Sequence, residues 1–401
     1  MRGKTVAIVS VLTFMVCTCA ASTVKILHTF SGGSDGNQPY GGVVFDHAGN
    51  LYGTTQFGGA HAQGTVFRLT HTTLGWRETV LHSFAGGSDG AVPIGGVILD
   101  GAGNLYGTTS SGGDPVCQCG NVFELTPSGT GWTKSTLHNF TGGSDGAYSG
   151  TGLVFDGTGN LYGTTVYGGY PTKSQCIATA GCGTVFKLTP AVAGWTELVV
   201  HRFSGYDGNQ PWASLTVDAN GFVCCGTTYL GGGYGVGTAF TLGIDRHSFN
   251  TTSAAGSHPL GSLISDSAHN LYGTTSKSPA GAGVVFKLTP APNGPYFNTY
   301  VLHSFTGSDG ETPVAGLIFD GAGNLYGTTI AGGASSGFAG TVFKLTPSGT
   351  RWTETLLHSF TGGNDGADPY AGVVFDQAGN LYGTTLRGGA HGAGVVFEVI
   401  P

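Results

Sequence analysis

The sequence predicts an all-β, seven-bladed β-propeller with four antiparallel strands per blade, and three observations support this. Glycine supplies 75 of 401 residues while charged residues make up only 9%, a composition typical of short strands joined by tight turns. The pentapeptide Leu-Tyr-Gly-Thr-Thr begins at residues 51, 105, 161, 271, 325 and 381. Each repeat also contains four strand-like runs, which is the number of strands in one propeller blade.

A degraded seventh copy of the pentapeptide, Cys224-Cys225-Gly226-Thr227-Thr228, fills the gap between the third and fifth units. The seven units occupy the chain from residue 22 onward, so we expect one propeller domain over 22–401. A β-helix is the main alternative, but its repeats are shorter than these units.

The second unit illustrates the predicted strands, and the two ends of the chain show how the ring closes. The four runs are rich in Val, Leu, Phe, Tyr and Thr and are bounded by turn residues: Gly96–Asp100, Asn104–Thr109, Asn121–Thr126 and Trp132–Phe140. The segment Val24–Phe30 matches the fourth run of a unit, whereas the chain ends after a third run. We therefore predict that the N-terminal strand completes the last blade and removes the open edges.

The first 21 residues are typical of a secretory signal peptide. Arg2 and Lys4 precede an apolar stretch, Thr5–Cys19, that is too short to span a bilayer, and small residues follow it. We predict cleavage after Ala21, a secreted or periplasmic location, and no membrane span in the mature chain. The net charge is −7 and the mature chain has no basic cluster, which argues against nucleic acid as a partner. We also expect a monomer.

Eight cysteines are present, and removal of Cys17 and Cys19 with the signal leaves six. An even number in an exported chain favours disulfides. The candidates are Cys117, Cys119, Cys176, Cys182, Cys224 and Cys225. Cys176–Cys182 is the simplest local pair, whereas the other pairings stay open, a direct Cys224–Cys225 bond included. A zinc ion held by four of the thiolates is the alternative, but we predict neither a metal nor a cofactor.

Several polar residues recur once per unit. An Asp in every predicted hairpin, such as Asp46, is interpreted as a turn-building residue, and a His in the fourth run, such as His82, as a structural residue. Six inter-blade loops also carry an Asp, either to make the turn or to bind a ligand: Asp35, Asp89, Asp145, Asp207, Asp309 and Asp365. Each loop offers one carboxylate, which is too few for a calcium site.

In a meander, the inter-blade loops and the loops joining the second and third runs share one face. The loops between the second and third runs vary in length, from the short Gln56–Gln63 to the long Val166–Cys182. This face is therefore the variable one and the place where we expect a ligand. Trp212 lies in an inter-blade loop, out of register with the other tryptophans, and is the candidate for a stacking platform. Packing is the alternative role for Trp212.

The motif Gly-Gly-Val-Val-Phe-Asp-x-Ala-Gly-Asn-Leu-Tyr-Gly-Thr-Thr at 41–55, repeated over nearly the whole mature chain, resembles the Gloeobacter/Verrucomicrobia tandem repeat of exported bacterial proteins. The resemblance implies export and a repeat fold, but no activity and no catalytic residues. The fourth unit departs from the motif at Phe222-Val223-Cys224-Cys225. Family members often carry a C-terminal anchor, which we do not expect here.

Three functions remain open at this stage. The leading hypothesis is an extracellular binding module, with carbohydrate or another surface protein as partner. The second is a polysaccharide-active hydrolase or lyase that uses acids of the variable face, for which Asp114, Glu311 and Asp368 are candidates. The third is a structural protein of the cell surface or matrix. No nucleophile elbow, zinc-protease motif or phosphate loop is present, so the catalytic residues are unknown.

Overall fold

The computed structural model describes residues 22–169, 176, 180–218, 220–242, 244–292 and 296–401. The predicted signal peptide, residues 1–21, lies outside the described residues. The described part folds into seven four-stranded antiparallel sheets, and its helical content is a single 3₁₀ turn, Gly87–Asp89. No helix in these ranges has the length and apolar character needed to cross a bilayer. The seven-bladed propeller predicted from the repeat is confirmed.

The strands fall into four concentric sets, counted outward from the central axis. The innermost strands are β2 (Val44–Phe45), β6 (Ile98–Leu99), β10 (Val154–Phe155), β14 (Thr216–Val217), β18 (Ile264–Ser265), β22 (Ile318–Phe319) and β26 (Val374–Phe375). The second strands are β3 (Leu51–Thr55), β7 (Leu105–Thr109), β11 (Leu161–Thr165), β15 (Val223–Thr228), β19 (Leu271–Thr275), β23 (Leu325–Thr329) and β27 (Leu381–Thr385).

The third strands are β4 (Thr65–Thr72), β8 (Asn121–Ser128), β12 (Thr184–Ala191), β16 (Thr238–Thr241), β20 (Val284–Pro290), β24 (Thr341–Ser348) and β28 (Val395–Ile400). The outer strands are β5 (Gly75–Ser83), β9 (Gly131–Asn139), β13 (Gly194–Arg202), β17 (Ile244–Ser248), β21 (Phe297–Ser304), β25 (Arg351–Ser359) and β1 (Thr23–Thr29). Blade 1 contains β2 to β5, each later blade takes the next four strands, and β1 completes blade 7.

The N-terminal strand closes the ring as the sequence predicts. β1 pairs antiparallel with β28, from Thr23 opposite Ile400 to Thr29 opposite Val395. Phe30, which follows β1, is fully buried and packs edge-on against Phe67 of blade 1 at a ring distance of 5.2 Å. The first strand therefore joins the last blade and also contributes to the core beneath the first.

The hydrophobic core is divided into seven similar clusters between neighbouring blades. Between blades 1 and 2, for example, the buried Phe84 packs against Phe123 with ring centroids 5.2 Å apart. The glycine of the pentapeptide leaves room for the phenylalanine of its own blade, because a Cβ on Gly53 would lie 2.6 Å from the ring of Phe67. This close approach explains why the repeat needs glycine at this position.

The innermost strands are shorter than the first runs of the sequence prediction. Gly96–Asp100 was expected to be extended, but only Ile98–Leu99 pairs with β7. The residues before each innermost strand pack backbone to backbone around the axis, and a Cβ on Gly41 would lie 2.5 Å from the backbone nitrogen of Gly96. These residues therefore line the central channel and do not extend the ladder.

The turn between the first two strands of each blade is built around its aspartate. Asp46 accepts hydrogen bonds from the backbone N–H groups of Ala48 and Asn50, at 2.9 and 2.8 Å, and from the side chains of Asn50 and Tyr52. Burial opposes ionisation of Asp46, but the hydrogen bonds from Asn50, Tyr52 and Ala48 together outweigh it and lower the pKa of this carboxyl. The recurrent hairpin aspartate thus has the structural role expected of it.

The two variable sets of loops meet on one face. Isolated antiparallel bridges join each inter-blade loop to the loop between the second and third strands of the same unit, as in Asn37 opposite Phe57 and Glu311 opposite Ala331. This side of the propeller is called the variable face below, and the central channel opens on it.

Candidate functional site

The channel opens on the variable face in a cavity of about 580 Å³. Its rim is formed by the residue six positions before each hairpin aspartate, and these seven residues are called the mouth ring: Tyr40, Ile94, Gly150, Trp212, Leu260, Val314 and Tyr370. Two residues further along each unit, small residues line the channel below the rim: Gly42, Gly96, Gly152, Ser214, Ser262, Gly316 and Gly372. The repeat thus makes a narrow, uniform channel under a rim whose chemistry varies from blade to blade.

Trp212 belongs to this mouth ring and lies next to other aromatic residues. Its indole contacts the ring of Tyr148 edge-on, with centroids 5.6 Å apart, and Tyr148 in turn contacts Tyr167 at 5.8 Å. Across the seam between the first and last blades, Tyr40 and Tyr370 approach to 4.7 Å. The sequence identifies Trp212 as distinct from the other tryptophans, and the structure places it in the mouth ring, in contact with Tyr148.

Burial is substantial around Tyr40. This burial raises the pKa of the Tyr40 phenol above its usual value, and the neighbouring phenols of Tyr370 and Tyr148 raise it further. Tyrosines from two other blades therefore act on the Tyr40 phenol at the mouth. The Tyr40 phenol therefore remains a neutral hydrogen-bonding group at physiological pH.

A second ring surrounds the mouth, two residues before the mouth ring in each unit. Its members all have left-handed backbone conformations, with φ between 56° and 61°, and are called the left-handed ring: Gln38, Val92, Tyr148, Gln210, His258, Thr312 and Asp368. For residues other than glycine this conformation costs about 1–3 kcal/mol each. Seven repetitions of the strained geometry with six residue types indicate a fixed backbone that presents different side chains.

Backbone hydrogen bonds hold the left-handed ring in place. The N–H of Gln38 donates to the carbonyl of Ala393 in the preceding blade at 2.9 Å, and the carbonyl of Gln38 accepts from the N–H of Gln56 at 2.9 Å. The equivalent two bonds occur at all seven positions of the ring. Because the bonds involve only the main chain, the scaffold constrains the geometry and leaves the side chain free to vary.

A second cavity of about 390 Å³ adjoins the first over blades 5 and 6. The two cavities share four lining residues, namely Tyr229, Leu260, Val314 and Tyr370, so they form one continuous groove. Lys277 and Glu311 line the outer part. The groove therefore runs from an aromatic mouth to a charged end.

Three members of the left-handed ring have a shifted pKa: burial raises the pKa of the Tyr148 phenol, and the pKa values of Asp368 and His258 are shifted as well. Burial raises the pKa of Asp368, and the guanidinium of Arg387, 3.3 Å from its carboxylate, acts in the opposite direction. Burial also lowers the pKa of His258, as does the nearby Lys277, and the imidazole lies 4.9 Å from the ring of Tyr229. His258 is thereby kept neutral, with its ring against an aromatic residue of the groove.

The six inter-blade aspartates lie in their own turns, away from the mouth. Asp207 is representative: it accepts the N–H of Ser204 at 2.8 Å, and His201 lies 2.9 Å from its second oxygen. For Asp89, burial raises the pKa, but hydrogen bonds from His82 and from the N–H of Ala85 prevail and lower it to about 2. His–Asp contacts of this kind recur at six junctions, with Asp35, Asp89, Asp145, Asp207, Asp309 and Asp365.

The three candidate catalytic acids have different surroundings and partners. Asp114 caps its own loop by accepting the N–H groups of Val116 and Cys117, at 2.8 and 3.0 Å. Glu311 is exposed and lines the outer groove, whereas Asp368 pairs with Arg387. Of these three acids, Glu311 is the one that lines the groove.

The six cysteines among the described residues lie in three local pairs. Cys117 is bonded to Cys119 and Cys176 to Cys182, whereas Cys224 and Cys225 carry free thiols. Among the described residues, no group of three or more His, Cys, Asp or Glu is arranged to hold a metal ion.

The fold and the groove define the chain as a β-propeller repeat protein with a candidate ligand site at the channel mouth. It belongs to the Gloeobacter/Verrucomicrobia repeat family, whose sequence model matches residues 13–240 and 246–401. A search of curated proteins found no match.

Three solved structures have a similar chain path. A protein described as an oxidoreductase (glucose dehydrogenase) from Thermus thermophilus has 14% identity and a TM-score of 0.47, covering 95% of this chain and 100% of its own. The Hadza microbial sialidase Hz136 has 11% identity and a TM-score of 0.45, covering 90% and 65%. A protein described as a 6-phosphogluconolactonase from Bacteroides uniformis ATCC 8492 has 14% identity and a TM-score of 0.38, covering 84% and 74%. At these values, none supports a functional inference for this chain.

Proposed function

We propose that this protein is an exported binding module whose ligand, a carbohydrate, binds at the channel mouth without being cleaved. The observation that carries the proposal is the contrast between a nearly invariant scaffold and two concentric rings of variable side chains around one cavity. Positions that only build the propeller repeat in every blade, whereas positions that recognise an asymmetric ligand have to differ between blades.

The chemistry of the groove suits a sugar. Trp212, Tyr40 and Tyr370 offer aromatic surface on which the CH face of a pyranose packs, and aromatic side chains are common anchors of binding sites. Gln210 and Thr312 line the cavities beside them and supply amide and hydroxyl groups for the sugar hydroxyls. The groove over blades 5 and 6 provides room for more than one sugar unit.

The inter-blade aspartates are not part of the proposed site, because their oxygens already accept hydrogen bonds within their own turns, as for Asp207 with Ser204. Export also remains part of the proposal, and it rests on the first 21 residues and on the family.

The test is one assay of the purified mature protein against a panel of soluble and insoluble polysaccharides, scoring co-sedimentation and new reducing ends together. We expect saturable binding to at least one member and no new reducing ends. Trp212→Ala should weaken that binding about tenfold or more, as loss of a central aromatic anchor does. Tyr300→Ala is the matched control, because it removes an exposed aromatic side chain from the outer strand of blade 5.

New reducing ends would replace the binding module by an enzyme and direct attention to Asp368 and Glu311. Equal binding by Trp212→Ala and wild-type protein would remove the channel mouth as the site. No binding to any polysaccharide would rule out the proposed ligand class and favour a protein partner or a structural role.

A further inference from the structure

The inner hairpin of blade 4 differs from the other six. In blade 1, Phe45 pairs with Leu51 and Val44 with Tyr52, without any irregularity. In blade 4, Val217 pairs with Val223, but the preceding Thr216 pairs with Cys225. Cys224 is therefore an additional residue in a β-bulge, and Cys225 occupies the place of the pentapeptide tyrosine. Bulges re-aim side chains and are often found beside functional groups.

The bulge replaces hydrogen bonds that five other blades share. In those blades the tyrosine hydroxyl donates to the hairpin aspartate, as Tyr272 does to Asp266 at 2.9 Å. In blade 4 the hairpin aspartate, Asp218, keeps the two backbone bonds of the turn, from the N–H groups of Asn220 and Phe222, but Cys225 stands where the other blades have the tyrosine. The hairpin has thus exchanged a tyrosine anchor for two consecutive thiols.

The two thiols are in direct contact. Their Sγ atoms lie 2.7 Å apart. Two sulfur atoms that share neither a hydrogen bond nor a covalent bond do not come this close. Cys225 is fully buried, whereas Cys224 is half-buried and can be reached from solvent. The hydrogen bond from Cys225 lowers the pKa of the Cys224 thiol, although burial opposes this effect. The accessible sulfur is therefore the better nucleophile of the pair.

We propose that Cys224 and Cys225 form a redox-modification site, which closes to a vicinal disulfide when the protein meets a small-molecule disulfide such as oxidised glutathione. In the first step the Cys224 thiolate attacks one sulfur of the glutathione disulfide, forms a mixed disulfide, and releases one glutathione thiolate. In the second step the Cys225 sulfur attacks Cys224 Sγ, its proton passes to solvent, and the second glutathione leaves. Two protein thiols are oxidised and one glutathione disulfide is reduced to two thiols.

The bulge makes this bond feasible. Consecutive Cα atoms are about 3.8 Å apart, less than the roughly 4.4–6.8 Å usual for disulfides, so a vicinal bond requires backbone freedom. Cys224 has more of that freedom than a fully paired residue, because the bulge leaves it without a partner on β14, although its carbonyl accepts the N–H of Leu242 at 3.1 Å. An exported protein meets oxidising conditions, which favour closure.

Peptide mapping tests the proposal directly, because trypsin separates the three cysteine pairs. Cleavage after Arg and Lys places Cys224 and Cys225 alone in peptide 203–246, Cys117 and Cys119 in 78–134, and Cys176 and Cys182 in 174–187. The protein is equilibrated with oxidised glutathione, denatured with iodoacetamide without reductant, and digested. We expect peptide 203–246 to carry no alkyl group and to be lighter by two hydrogens than its reduced form. A doubly alkylated peptide, or one linked to another cysteine peptide, would overturn the proposal.

Single variants test the order of the two steps. Cys225→Ser leaves the accessible thiol without its resolving partner, so it should keep one glutathionyl group on peptide 203–246. Cys224→Ser leaves only the buried thiol, which should stay unmodified in the folded protein. Glutathionylation of Cys224→Ser but not of Cys225→Ser would contradict the assigned roles. This outcome is independent of whether the channel mouth binds a sugar.

Discussion

The hydroxyl of Thr384 donates a hydrogen bond to the carbonyl oxygen of Gly41 at 3.0 Å, although 343 residues separate them. It joins blade 7 to blade 1 at the channel. Equivalent bonds from the first threonine of each pentapeptide join every other pair of neighbours: Thr54 to Gly95, Thr108 to Thr151, Thr164 to Ala213, Thr227 to Gly261, Thr274 to Ala315 and Thr328 to Ala371. A ring of side-chain hydrogen bonds thus supplements β1 in closing the propeller.

The first prediction concerns that bond. Thr384→Val keeps the shape of the buried side chain but leaves the carbonyl of Gly41 without this donor. We expect a loss of about 1–3 kcal/mol in the free energy of unfolding. Thr384→Ser retains the hydroxyl and should recover most of the loss. Urea unfolding followed by circular dichroism measures both, and equal midpoints for Val and Ser variants would show that the hydrogen bond is not the stabilising feature.

The second prediction concerns closure by the N-terminal strand. Phe30 is fully buried, so Phe30→Ala should lower the free energy of unfolding by about 3–5 kcal/mol. Deletion of residues 24–30 should destabilise the protein further, because β28 also loses its outer pairing partner and keeps only β27. Phe222→Ala, at a side chain that is 69% exposed, is the matched control and should change little. An unchanged melting temperature in the deletion variant would contradict closure by β1.

The third prediction concerns backbone packing at the axis. A methyl group on Gly41 would meet the backbone of the next blade at 2.5 Å, so Gly41→Ala should cost about 1–3 kcal/mol through overpacking. Gly101→Ala is the control, because its methyl group would have nothing within 4 Å. Thermal unfolding of both proteins compares them. Equal melting temperatures would mean that the blades can shift apart at low cost.

The architecture could be predicted from the sequence because each of its determinants is local and repeated. The hairpin aspartate Asp46 bonds to residues two and four positions away, and the match of Val24–Phe30 to a fourth run was enough to indicate the closing strand. Repetition makes these signals visible against the background of a single chain.

The channel mouth was harder to predict, for a physical reason. Gln38 adopts its left-handed conformation because its N–H bonds to Ala393 in another blade, a tertiary contact that no local pattern reports. Trp212 was recognised as unusual, but its equivalence to Tyr40 required alignment to the hairpin aspartate. Blade-to-blade variation at a fixed distance from that aspartate is the signal that would have identified both rings. The bulge at Cys224 was also missed, since the sequence aligns Cys224-Cys225 directly with Leu-Tyr.

The fourth prediction concerns two carboxyls that lie at junctions between blades. Burial raises the pKa of Glu78 to about 7, and the nearby carboxylate of Asp35 contributes in the same direction. Burial and Asp309 have the same effect on Glu354. In the unfolded chain both groups ionise near the ordinary value of 4.5, so the folded state binds more protons between these two pH values. The stability that they contribute is therefore present at low pH and is lost as the pH rises through 7.

Replacing both carboxyls by neutral amides should remove that loss. At pH 5 most of that stability is still present, so the Glu78→Gln, Glu354→Gln double variant should be only slightly more stable than the wild type, whereas at pH 8 it should be more stable by about 2 kcal/mol. This value allows for solvent screening of two half-buried groups. Burial lowers the pKa of His28, but that imidazole is present in both proteins and cancels in their difference. Urea midpoints at the two pH values measure the effect, with the exposed Glu311→Gln as control. A difference of the same size at pH 5 and pH 8 would mean that these carboxyls do not titrate between the two values.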